Sequence, residues 1–597
     1  PTAPRSARGE AIEPDQPEDL EGDLAPLPWQ VLSDLLRQME GVPRHLSIHV
    51  GGMIITAAPL VEIVPLERAT MPGRVVVQWD KDSVEDAGLI KIDLLSLRTL
   101  GVVEEAVGHI RALRGIEFEP ADLPLDDPAV YDLLRRADTV GCFQVESRAQ
   151  AQMLPKLQPQ RFEDIVVGVA LIRPGPIQGG MVHPYLRRRQ GLEAVDYAHP
   201  SLAESLGETL GVIVFQEQVL RVAMSIAGFT PAEADLLRRA MSRSRSQQAM
   251  AALRERFLRG AEANGLEEAA AEKVWQQLEG FAGFGFCKSH AAAFALLAYQ
   301  TLYLKVHYPA EYYCALLNHQ PMGFYPPEVI ANDARLHGVP VLRPDINLSQ
   351  KPCSLEQACP KGQGCSDKQA RSDRSGLRLG LRTIHGLGEA WQERIVERRA
   401  RGPYRDLGDF CRRARLPRSL VENLIRSGTM DGLGAARRDL LWALGGLAYQ
   451  EEGLEIEVPV VPASLPALEQ AERMAWEHEI LGLTPGDQVM SLYREALRAQ
   501  RVLSSGELAS RRDGERVRVA GWAVVRQRPP TAKGHVFITL EDEKGLVNLI
   551  VRPGVYERYR DVLRNRPLLW IEGRLQREGQ ALSVLVHRAA ALGSPGP

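Results

Sequence analysis

The chain has 597 residues, of which 45% are hydrophobic and 25% charged, and its net charge is -4. This composition is ordinary for a folded protein of several domains, and it excludes a chain-wide cationic surface for nucleic acid. The sequence contains no run of about 18 apolar residues and no signal peptide, so we expect neither a membrane span nor secretion. Seven scattered cysteines fit a reducing cytoplasm better than a disulfide framework.

The N-terminal part of the chain predicts a tail followed by a small β-rich unit. The first residue is Pro1 rather than methionine, which suggests a fragment, a processed product or one part of a split protein. Residues 1–27 are rich in proline and acidic side chains and predict a disordered tail. In residues 28–100, the dipeptide Gly51-Gly52 precedes a strand and allows another group to approach the backbone, although a simple bulge is the plainer interpretation. Residues 80–83 predict a turn.

The last strand of this unit, in residues 88–98, combines an apolar pattern with one charged pair. Side chains alternate along a strand, so Ile90 and Ile92 share one face while Lys91 and Asp93 share the other. The pattern predicts a buried strand, in which an aspartate is costly unless it is paired or binds a metal. Two interpretations follow: Lys91 neutralises Asp93, or Asp93 is a metal ligand and Lys91 contacts a phosphate.

Residues 101–335 predict a large helical region that contains a basic segment. Arg238 and Arg239 are neighbours on a predicted helix, so they point about 100° apart and could hold two groups of one polyphosphate. Arg243 and Arg245 extend the segment by a further turn. The alternative is a basic helix face exposed to solvent.

A glycine- and phenylalanine-rich segment, residues 280–287, leads into the polar cluster Lys288, Ser289 and His290. Ser289 could cap the helix that follows and leave amide donors for an anion. Core packing would explain the aromatic residues but not the polar cluster.

Residues 336–450 contain a pattern typical of a helix-hairpin-helix turn. Gly386 and Gly388 bend the chain and expose amides that can meet a DNA phosphate without reading sequence. Residues 427–434 resemble a second, degenerate copy of this turn. A plain hairpin of two helices is the alternative.

Two stretches of the C-terminal half lack periodicity. In the first, Cys353, Cys359 and Cys365 have a C-x5-C-x5-C spacing that matches no common zinc pattern, so we expect a surface loop. The second opens residues 451–510, which predict a proline-rich linker followed by a helix.

Residues 511–595 show the alternation of five short strands, with a helix between the third and the fourth, which predicts an OB-fold barrel. Residues 511–588 carry 16 basic and 9 acidic side chains, although the whole chain is acidic. A basic OB barrel favours single-stranded nucleic acid, with Arg526, Arg528 and Lys533 as candidate DNA contacts. A protein-binding barrel is the alternative.

Several motifs, in chain order, resemble the C-family bacterial DNA polymerases, that is, the polymerase III alpha subunit and its relatives. They are GLIKIDLLSLRTL (residues 88–100), GCFQVES (141–147), ALIRPGP (170–176), FQEQ (215–218), LLRRAM (236–241) and GFGFCKSH (283–290). Further segments resemble the error-prone, ImuC-type branch: PRHLSIH (43–49), RVVVQWD (74–80), IQGGMVHPYLRRR (177–189) and LNHQPMGFY (317–325). The lysine at position 288 departs from this branch and is closer to the replicative one.

The resemblance implies a multidomain α+β fold. It comprises a residual thumb and partial polymerase β-like palm in residues 28–100, helical fingers in residues 101–335, a helix-hairpin-helix region and a C-terminal OB-fold. It also implies roles for the residues singled out above. Asp93 matches one of three aspartates that bind two Mg²⁺ ions, and Lys91 matches a residue near the nucleotide phosphates. The remaining matches, to residues expected on or near the incoming triphosphate, are Arg238, Arg239, Lys288, Ser289 and His290.

In the family, the other two aspartates and the PHP domain precede the segment that this chain resembles. We therefore expect the chain alone to be inactive and to need an N-terminal polymerase half. The implied partners are primer-template DNA and deoxynucleoside triphosphates, with a sliding clamp and ImuA/ImuB-type accessory proteins as further expectations. The sequence leaves open error-prone DNA synthesis, a non-catalytic DNA-binding subunit, and a scaffold for the clamp or another partner.

Overall fold

The structure of the protein is a computed structural model. It describes residues 29–40, 42, 47–173, 181–197, 199–242, 247–280, 286–357, 375–447, 465–529, 532–578 and 581–593. The predicted tail, Arg243, Arg245, Cys359 and Cys365 lie outside the described residues. The chain divides into two compact units, Pro1–Leu97 and Arg98–Pro597. None of the described helices has the length and the apolar composition that a membrane span requires.

The first unit consists of short elements. They are α1 (Trp29–Met39), β1 (Gly52–Ile55), β2 (Leu66–Arg68), β3 (Val75–Val77), α2 (Lys81–Asp86) and β4 (Ile90–Asp93). β1 pairs with β4, and β2 with β3, both antiparallel. The predicted turn at residues 80–83 is instead the start of α2. The Asp80 carboxylate caps this helix by accepting a hydrogen bond from the Ser83 amide at 2.8 Å.

The prediction that β4 is a buried strand is wrong. Ile90 is 66% exposed and Ile92 39%, and the residues paired with them on β1, Ile55 and Met53, are exposed as well. Among the described strands β4 pairs with β1 alone. An apolar pattern of period two therefore records which side chains share a face, but burial also requires a layer that covers that face.

The second unit begins with a large helical body. Its helices are α3 (Arg98–Arg114), α4 (Pro128–Arg135), α5 (Arg148–Leu157), α6 (Phe162–Leu171), α7 (Val182–Arg189), α8 (Leu202–Leu206), α9 (Gln216–Ala227), α10 (Pro231–Ser242), α11 (Gln247–Ala263), α12 (Glu268–Gly280), α13 (Lys288–His307), α14 (Pro309–Asn318) and α15 (Pro327–Leu336). Proline opens α4, α10, α14 and α15, at the position where a helix does not need the missing N–H. Fully buried aromatic side chains, among them Phe257, Trp275 and Tyr299, fill the core.

A buried lysine on α13 joins three parts of this body. The side chain of Lys305 is fully buried, and its ammonium group donates to Asp138 at 3.1 Å, to Asp333 at 2.8 Å and to the Val140 carbonyl at 3.1 Å. Burial alone would lower the pKa of Lys305, but the two carboxylates raise it above its usual value. His337 lies 3.0 Å from the Asp138 carboxylate and completes the cluster. Asp138, Asp333 and His337 have the chemistry of a metal site, yet the ammonium group already supplies the cation.

The helix-hairpin-helix region combines a small sheet with four helices. The elements are β5 (Val341–Leu342), β6 (Ser354–Gln357), β7 (Ser375–Arg378), α16 (Glu389–Arg399), α17 (Leu407–Ala414), α18 (Arg418–Arg426) and α19 (Arg437–Gly446). The expectation of a surface loop at Cys353 is wrong. Cys353 is buried directly before β6, and its amide donates to the Asn318 side chain at 2.7 Å.

The C-terminal part is a closed five-stranded barrel preceded by short helices, and it confirms the predicted OB-fold. The helices are α20 (Gln470–Leu481), α21 (Arg494–Ala499) and α22 (Ser505–Leu508); the barrel contains β8 (Arg516–Gln527), β9 (Val536–Asp542), β10 (Gly545–Val551), α23 (Pro553–Arg558), α24 (Arg560–Asn565), β11 (Leu568–Glu578) and β12 (Ala581–Ala591). The strand order is β10-β12-β11-β8-β9. Val519, Ile538 and Ile571 are among the residues that fill its interior.

The outer face of β9 is buried against the helical body. Thr539 and Glu541 alternate with the interior residues of β9, and each is only 2% exposed. Asn332 of α15 donates to Glu541 at 3.0 Å, and the guanidinium of Arg148 lies 4.2 Å above the ring of Phe537. Arg148 is 7% exposed, and its three side-chain nitrogens have no hydrogen-bond partner among the described residues. The barrel is therefore docked through a partly polar interface.

We predict that replacing the buried lysine destabilises the protein strongly. Lys305→Met leaves the buried Asp333 and the half-buried Asp138 without their cation, which costs about 3–5 kcal/mol of unfolding free energy. Urea unfolding monitored by tryptophan fluorescence measures this loss. The control Lys273→Met removes an exposed lysine of α12 and should change the free energy by less than about 0.5 kcal/mol. A loss from Lys305→Met no larger than that of the control would contradict the structural role.

We also predict that Glu541 makes the stability depend on pH. Burial and the nearby Glu328 carboxylate raise its pKa to about 8, although Asn332 and Arg335 oppose the shift. An unfolded glutamate has a pKa of about 4.3, so between these values the unfolded state loses the proton that the folded state keeps. Stability should fall as the pH rises from about 4.3 to about 8, and it should not fall further above that range.

The test compares Glu541→Gln with the wild type by thermal unfolding at pH 5 and at pH 8.5. Glutamine stays neutral, so the variant should gain melting temperature relative to the wild type at pH 8.5 and gain less at pH 5. Glu557→Gln, an exposed glutamate of α23, should show no such difference. Equal effects of Glu541→Gln at both pH values would reject the linkage.

Candidate functional site

The β1–β4 pair positions the predicted metal ligand. One oxygen of Asp93 accepts a hydrogen bond from the Leu95 amide at 3.0 Å, and the other lies 3.6 Å from Nε2 of His49. The Asp93 side chain remains 56% exposed. No ion pair joins Lys91 to Asp93 in the part of the chain that the structure describes, so the neutralised-pair interpretation is wrong for this conformation.

Gly51 and Gly52 allow this arrangement. A Cβ atom on Gly51 would lie 2.6 Å from the Leu95 nitrogen, and one on Gly52 would lie 3.0 Å from both His49 and Lys91. A larger residue at Gly51 would displace the backbone at Leu95, and one at Gly52 would displace the His49 ring or the Lys91 side chain. The close approach that the double glycine suggested is therefore an approach of the chain to itself.

Asp93 fits the role of one oxygen ligand for a divalent cation, since Mg²⁺ prefers carboxylate oxygens and water. It does not form a complete site. Among the described residues, the only group of three close ligand-type side chains is Asp138, Asp333 and His337, which surrounds Lys305. One carboxylate cannot hold two Mg²⁺ ions, so the described residues supply part of a metal site at most.

Arg238 and Arg239 lie on α10 and share one carboxylate. Asp235, one turn earlier, accepts from the Arg238 guanidinium at 2.8 Å and from the Arg239 guanidinium at 2.7 Å. Hydrogen bonds and charge from both arginines lower the pKa of Asp235. The two guanidinium groups are thus held together, as a polyphosphate would require, but by an internal anion. Exposed pairs of this kind are weak, so a stronger anion can displace Asp235.

The N-terminus of α13 differs from the prediction. Cys287, not Ser289, is its N-cap residue, and no side chain caps it in the usual way. Instead, the carboxylate of Glu217 on α9 accepts from the Lys288 amide at 3.0 Å and from the Cys287 thiol at 3.2 Å. The Lys288 ammonium group pairs with Glu208 at 2.5 Å. Carboxylates of the protein therefore occupy the positions that the sequence suggested for an anion.

His290 belongs to an aromatic stack. Its ring lies 4.9 Å from that of Phe286 and 4.2 Å from that of Phe294. Arg173 lies two residues after the end of α6. Its guanidinium group is 3.6 Å from the centroid of the Phe286 ring. Sequence reasoning did not select Arg173, Glu208 or Glu217, because their proximity to the Lys288–His290 cluster depends on contacts between distant segments.

An open cavity of about 380 Å³ lies beside this cluster. It is lined by Glu208, Phe215, Glu217, Gln218, Arg221, Lys288, Ser289 and Ala292. The cavity combines cations with carboxylates, and a nucleotide that entered it would meet both.

The two hairpin turns differ from each other. At the first, Gly386 has a φ of +83° and is exposed, but the Gly388 amide donates to the Gly386 carbonyl at 3.1 Å and is not free for a phosphate. At the second, Arg437 is buried and pairs with Asp431 and with Glu477 of α20, each at 2.7 Å. The second turn therefore attaches α20 to the hairpin region.

The predicted DNA contacts of the barrel have different environments. The guanidinium of Arg526 donates to the carbonyls of Leu563, Arg566 and Ala523 at 2.8, 2.6 and 3.2 Å, so much of its hydrogen-bonding capacity is used within the barrel. Arg528 is exposed and lies 5.7 Å from the ring of Tyr556. Lys533 is exposed in the loop between β8 and β9, with a φ of +50°.

We predict that Asp235 competes with added polyphosphate. Asp235→Asn removes the charge that holds Arg238 and Arg239, so the affinity for inorganic tripolyphosphate should rise by about two- to fivefold. Isothermal titration calorimetry measures this change. Glu255→Gln, which breaks an exposed pair with Arg259 on α11, is the control and should leave the affinity unchanged. Unchanged binding in Asp235→Asn would show that these arginines do not bind the probe.

Family models match four segments of the chain. They are "Bacterial DNA polymerase III alpha NTPase domain" at residues 24–96, "Bacterial DNA polymerase III alpha subunit finger domain" at residues 99–265, "Helix-hairpin-helix motif" at residues 338–440 and "OB-fold nucleic acid binding domain" at residues 517–590.

Proteins named "Error-prone DNA polymerase" match nearly the whole chain. The protein from Anaeromyxobacter dehalogenans strain 2CP-1 is 45% identical over 94% of this chain and 49% of its own length. Those from Alkalilimnicola ehrlichii and Bdellovibrio bacteriovorus are 43% and 41% identical, over 92% and 96% of this chain and 53% and 55% of their own lengths. The chain thus spans about half the length of these relatives. A solved asparaginyl-tRNA synthetase from Pyrococcus horikoshii matches 15% of this chain and 22% of its own, with 23% identity and a TM-score of 0.14.

The four matched segments follow one another in the order expected from the motifs, and the relatives match 92–96% of the chain. The chain belongs to the polymerase III alpha family of bacterial DNA polymerases, in the branch whose members are named error-prone DNA polymerase.

Proposed function

We propose that the chain is part of an error-prone, damage-tolerant DNA polymerase, which transfers deoxynucleotides to a primer 3′-hydroxyl under the direction of a template. The observation that carries this proposal is the 45% identity to proteins of that name over 94% of the chain. The departure at Lys288 does not weigh against this branch, since the identity extends over so much of the sequence.

In this proposal Asp93 would supply one oxygen ligand to Mg²⁺, and the metal would supply charge stabilisation for the phosphoryl transfer. The Asp93 carboxylate is exposed and hydrogen-bonded to the Leu95 amide, so its orientation is set before a metal binds. Lys91 precedes it by two residues on the same face of β4 and is exposed, as a contact to a nucleotide phosphate requires.

The fingers would supply the cations for the triphosphate of the incoming deoxynucleotide. Arg238 and Arg239 lie side by side on α10 and would exchange Asp235 for phosphate oxygens, since guanidinium groups bind phosphate well. Lys288 would exchange Glu208 in the same way. Ser289 and His290 are exposed on the first turn of α13, beside the open cavity, and would contact the remainder of the nucleotide.

Primer-template DNA would meet the hairpin region and the barrel. Gly386 and Gly388 offer a tight turn to the DNA backbone, while Arg526, Arg528 and Lys533 offer positive charge. We further propose that the chain works in the cytoplasm with an N-terminal polymerase half, a sliding clamp and ImuA/ImuB-type accessory proteins. The resemblance to the error-prone branch is what supports these partners.

A second candidate function is that of a non-catalytic DNA-binding subunit. One observation favours it: among the described residues, Asp93 belongs to no group of three ligand-type side chains close enough to hold a metal. Both functions require DNA binding with a steep dependence on salt, so DNA binding alone does not separate them.

Primer extension with Mg²⁺ separates the two functions. We expect the 597-residue chain alone to incorporate no nucleotides, and the complete polymerase to lose about 10³-fold or more of its rate with Asp93→Ala at nearly unchanged DNA affinity. Asp86→Ala, which removes an exposed carboxylate of α2, is the control for the lost charge.

Robust synthesis by the 597-residue chain would refute the expected need for an N-terminal half. Unchanged synthesis by Asp93→Ala in the complete enzyme would refute the metal role and leave the DNA-binding subunit as the better account.

A further inference from the structure

The usual nucleic-acid surface of an OB barrel is partly covered in this chain. OB-folds bind oligonucleotides mainly across their second and third strands and the adjoining loops. The second strand here is β9, and its outward residues Phe537, Thr539 and Glu541 face the helical body. Thr539 and Glu541 are buried and closed off by contacts with the helical body. This side of the barrel is therefore poorly suited to a nucleic-acid backbone in the docked arrangement.

A different face of the barrel concentrates positive charge, and the strand register creates it. Arg516 of β8 pairs directly with Arg574 of β11, so the two side chains share a face. Two residues earlier on β11, Glu572 lies between Arg518 of β8 and Arg588 of β12. A bulge after Glu572 brings Arg588 into this register. We call Arg516, Arg518, Arg574 and Arg588 the arginine face.

Glu572 orients two of the four arginines. It accepts hydrogen bonds from the Arg516 guanidinium and, at 3.0 Å, from the Arg518 guanidinium. These bonds lower the pKa of Glu572 and keep it ionised near neutral pH. Arg516 nevertheless remains 68% exposed and Arg518 46%, so both can reach a ligand while they contact Glu572.

The other two arginines have no internal anion. Arg574 and Arg588 are exposed, and the side chain of neither makes a hydrogen bond or an ion pair within the described residues. The face therefore has four guanidinium groups and a single carboxylate. The chain as a whole has a net charge of -4, yet this face carries exposed positive charge without a counterion. Such a local excess of positive charge indicates a binding surface for a polyanion.

The dimensions and borders of the arginine face fit an extended single strand of nucleic acid. Neighbouring β-strands are about 4.8 Å apart, and residues i and i+2 on one strand are about 6.6 Å apart, so the guanidinium groups can follow successive phosphates. One border is the segment at Gln500, whose carbonyl accepts from Arg518 at 3.4 Å. The other border is α5, where Gln152 donates to Ser583 of β12 at 3.1 Å.

We propose that the arginine face binds the phosphate backbone of single-stranded nucleic acid, and that it does so while β9 remains docked on the helical body. The match of residues 517–590 to a nucleic-acid-binding OB-fold favours nucleic acid over an acidic protein as the ligand. This inference rests on the DNA-binding part of the proposed function and names a surface for it. The surface is distinct from Arg526, Arg528 and Lys533 in the β8 strand end and the loop after it.

The test measures binding of a fluorescent oligothymidylate to the full 597-residue chain by anisotropy, across a series of salt concentrations. The double variant Arg574→Ala/Arg588→Ala should weaken binding by roughly tenfold at low salt. Each phosphate contact to a single strand contributes about 0.7 to the slope of log affinity against log salt, so the slope should fall by about 1.4. Arg574→Lys/Arg588→Lys keeps both charges and should retain most of the slope.

The control Arg136→Ala/Arg259→Ala removes two exposed charges of the helical body, one directly after α4 and one on α11, and should leave the slope unchanged. An unchanged slope in Arg574→Ala/Arg588→Ala, or an equal loss in the control, would overturn the proposal and leave the face to an acidic protein. Failure of the wild-type chain to bind the oligonucleotide at low salt would overturn this proposal together with DNA binding by this chain. Polymerase activity, which primer extension measures, would remain a separate question.

Discussion

The second unit of the chain depends on one buried charge. Lys305 of α13 lies between Asp138, which follows α4, and Asp333 of α15, and the carboxylates hold its proton against the effect of burial. The first turn of the same helix carries Lys288, Ser289 and His290, the predicted nucleotide cluster. The neighbour of Asp333, Asn332, contacts the barrel through Glu541. A single ionic cluster thus links the position of the nucleotide cluster to that of the barrel, and a buried charge of this kind tolerates little displacement.

A second common feature is that the protein supplies its own anions where the sequence suggested a ligand. Asp235 holds Arg238 and Arg239, Glu208 holds Lys288, and Glu217 occupies the first amides of α13. These pairs are exposed or half-exposed, so each contributes little to stability. They keep the cations oriented, and such weak pairs leave these cations open to exchange with another anion.

The barrel presents two contrasting surfaces. The outer face of β9 is buried with Glu541, whose pKa is raised, and with Arg148, which has no hydrogen-bond partner among the described residues. The arginine face, on β8, β11 and β12, is exposed and lacks counterions for Arg574 and Arg588. An OB-fold that packs its second strand on a neighbouring domain can still offer a phosphate surface, because its first, fourth and fifth strands form another continuous outer face.

Local patterns in the sequence predicted the family and the types of the main elements, although the turn expected at residues 80–83 is the start of a helix. Period-two alternation in residues 511–595 specified the barrel, and the motifs around Asp93, Arg238 and Lys288 indicated which chemistry to expect. Only the tertiary structure decided the environment of those residues. The tertiary structure leaves β4 exposed. It brings the Glu217 carboxylate to the backbone amide of Lys288, 71 positions further along the chain, and it aligns Arg516 with Arg574 on neighbouring strands of the barrel. Periodicity reports how a segment presents its own side chains, whereas burial, ion pairing and strand register depend on segments distant in sequence, which no local pattern encodes.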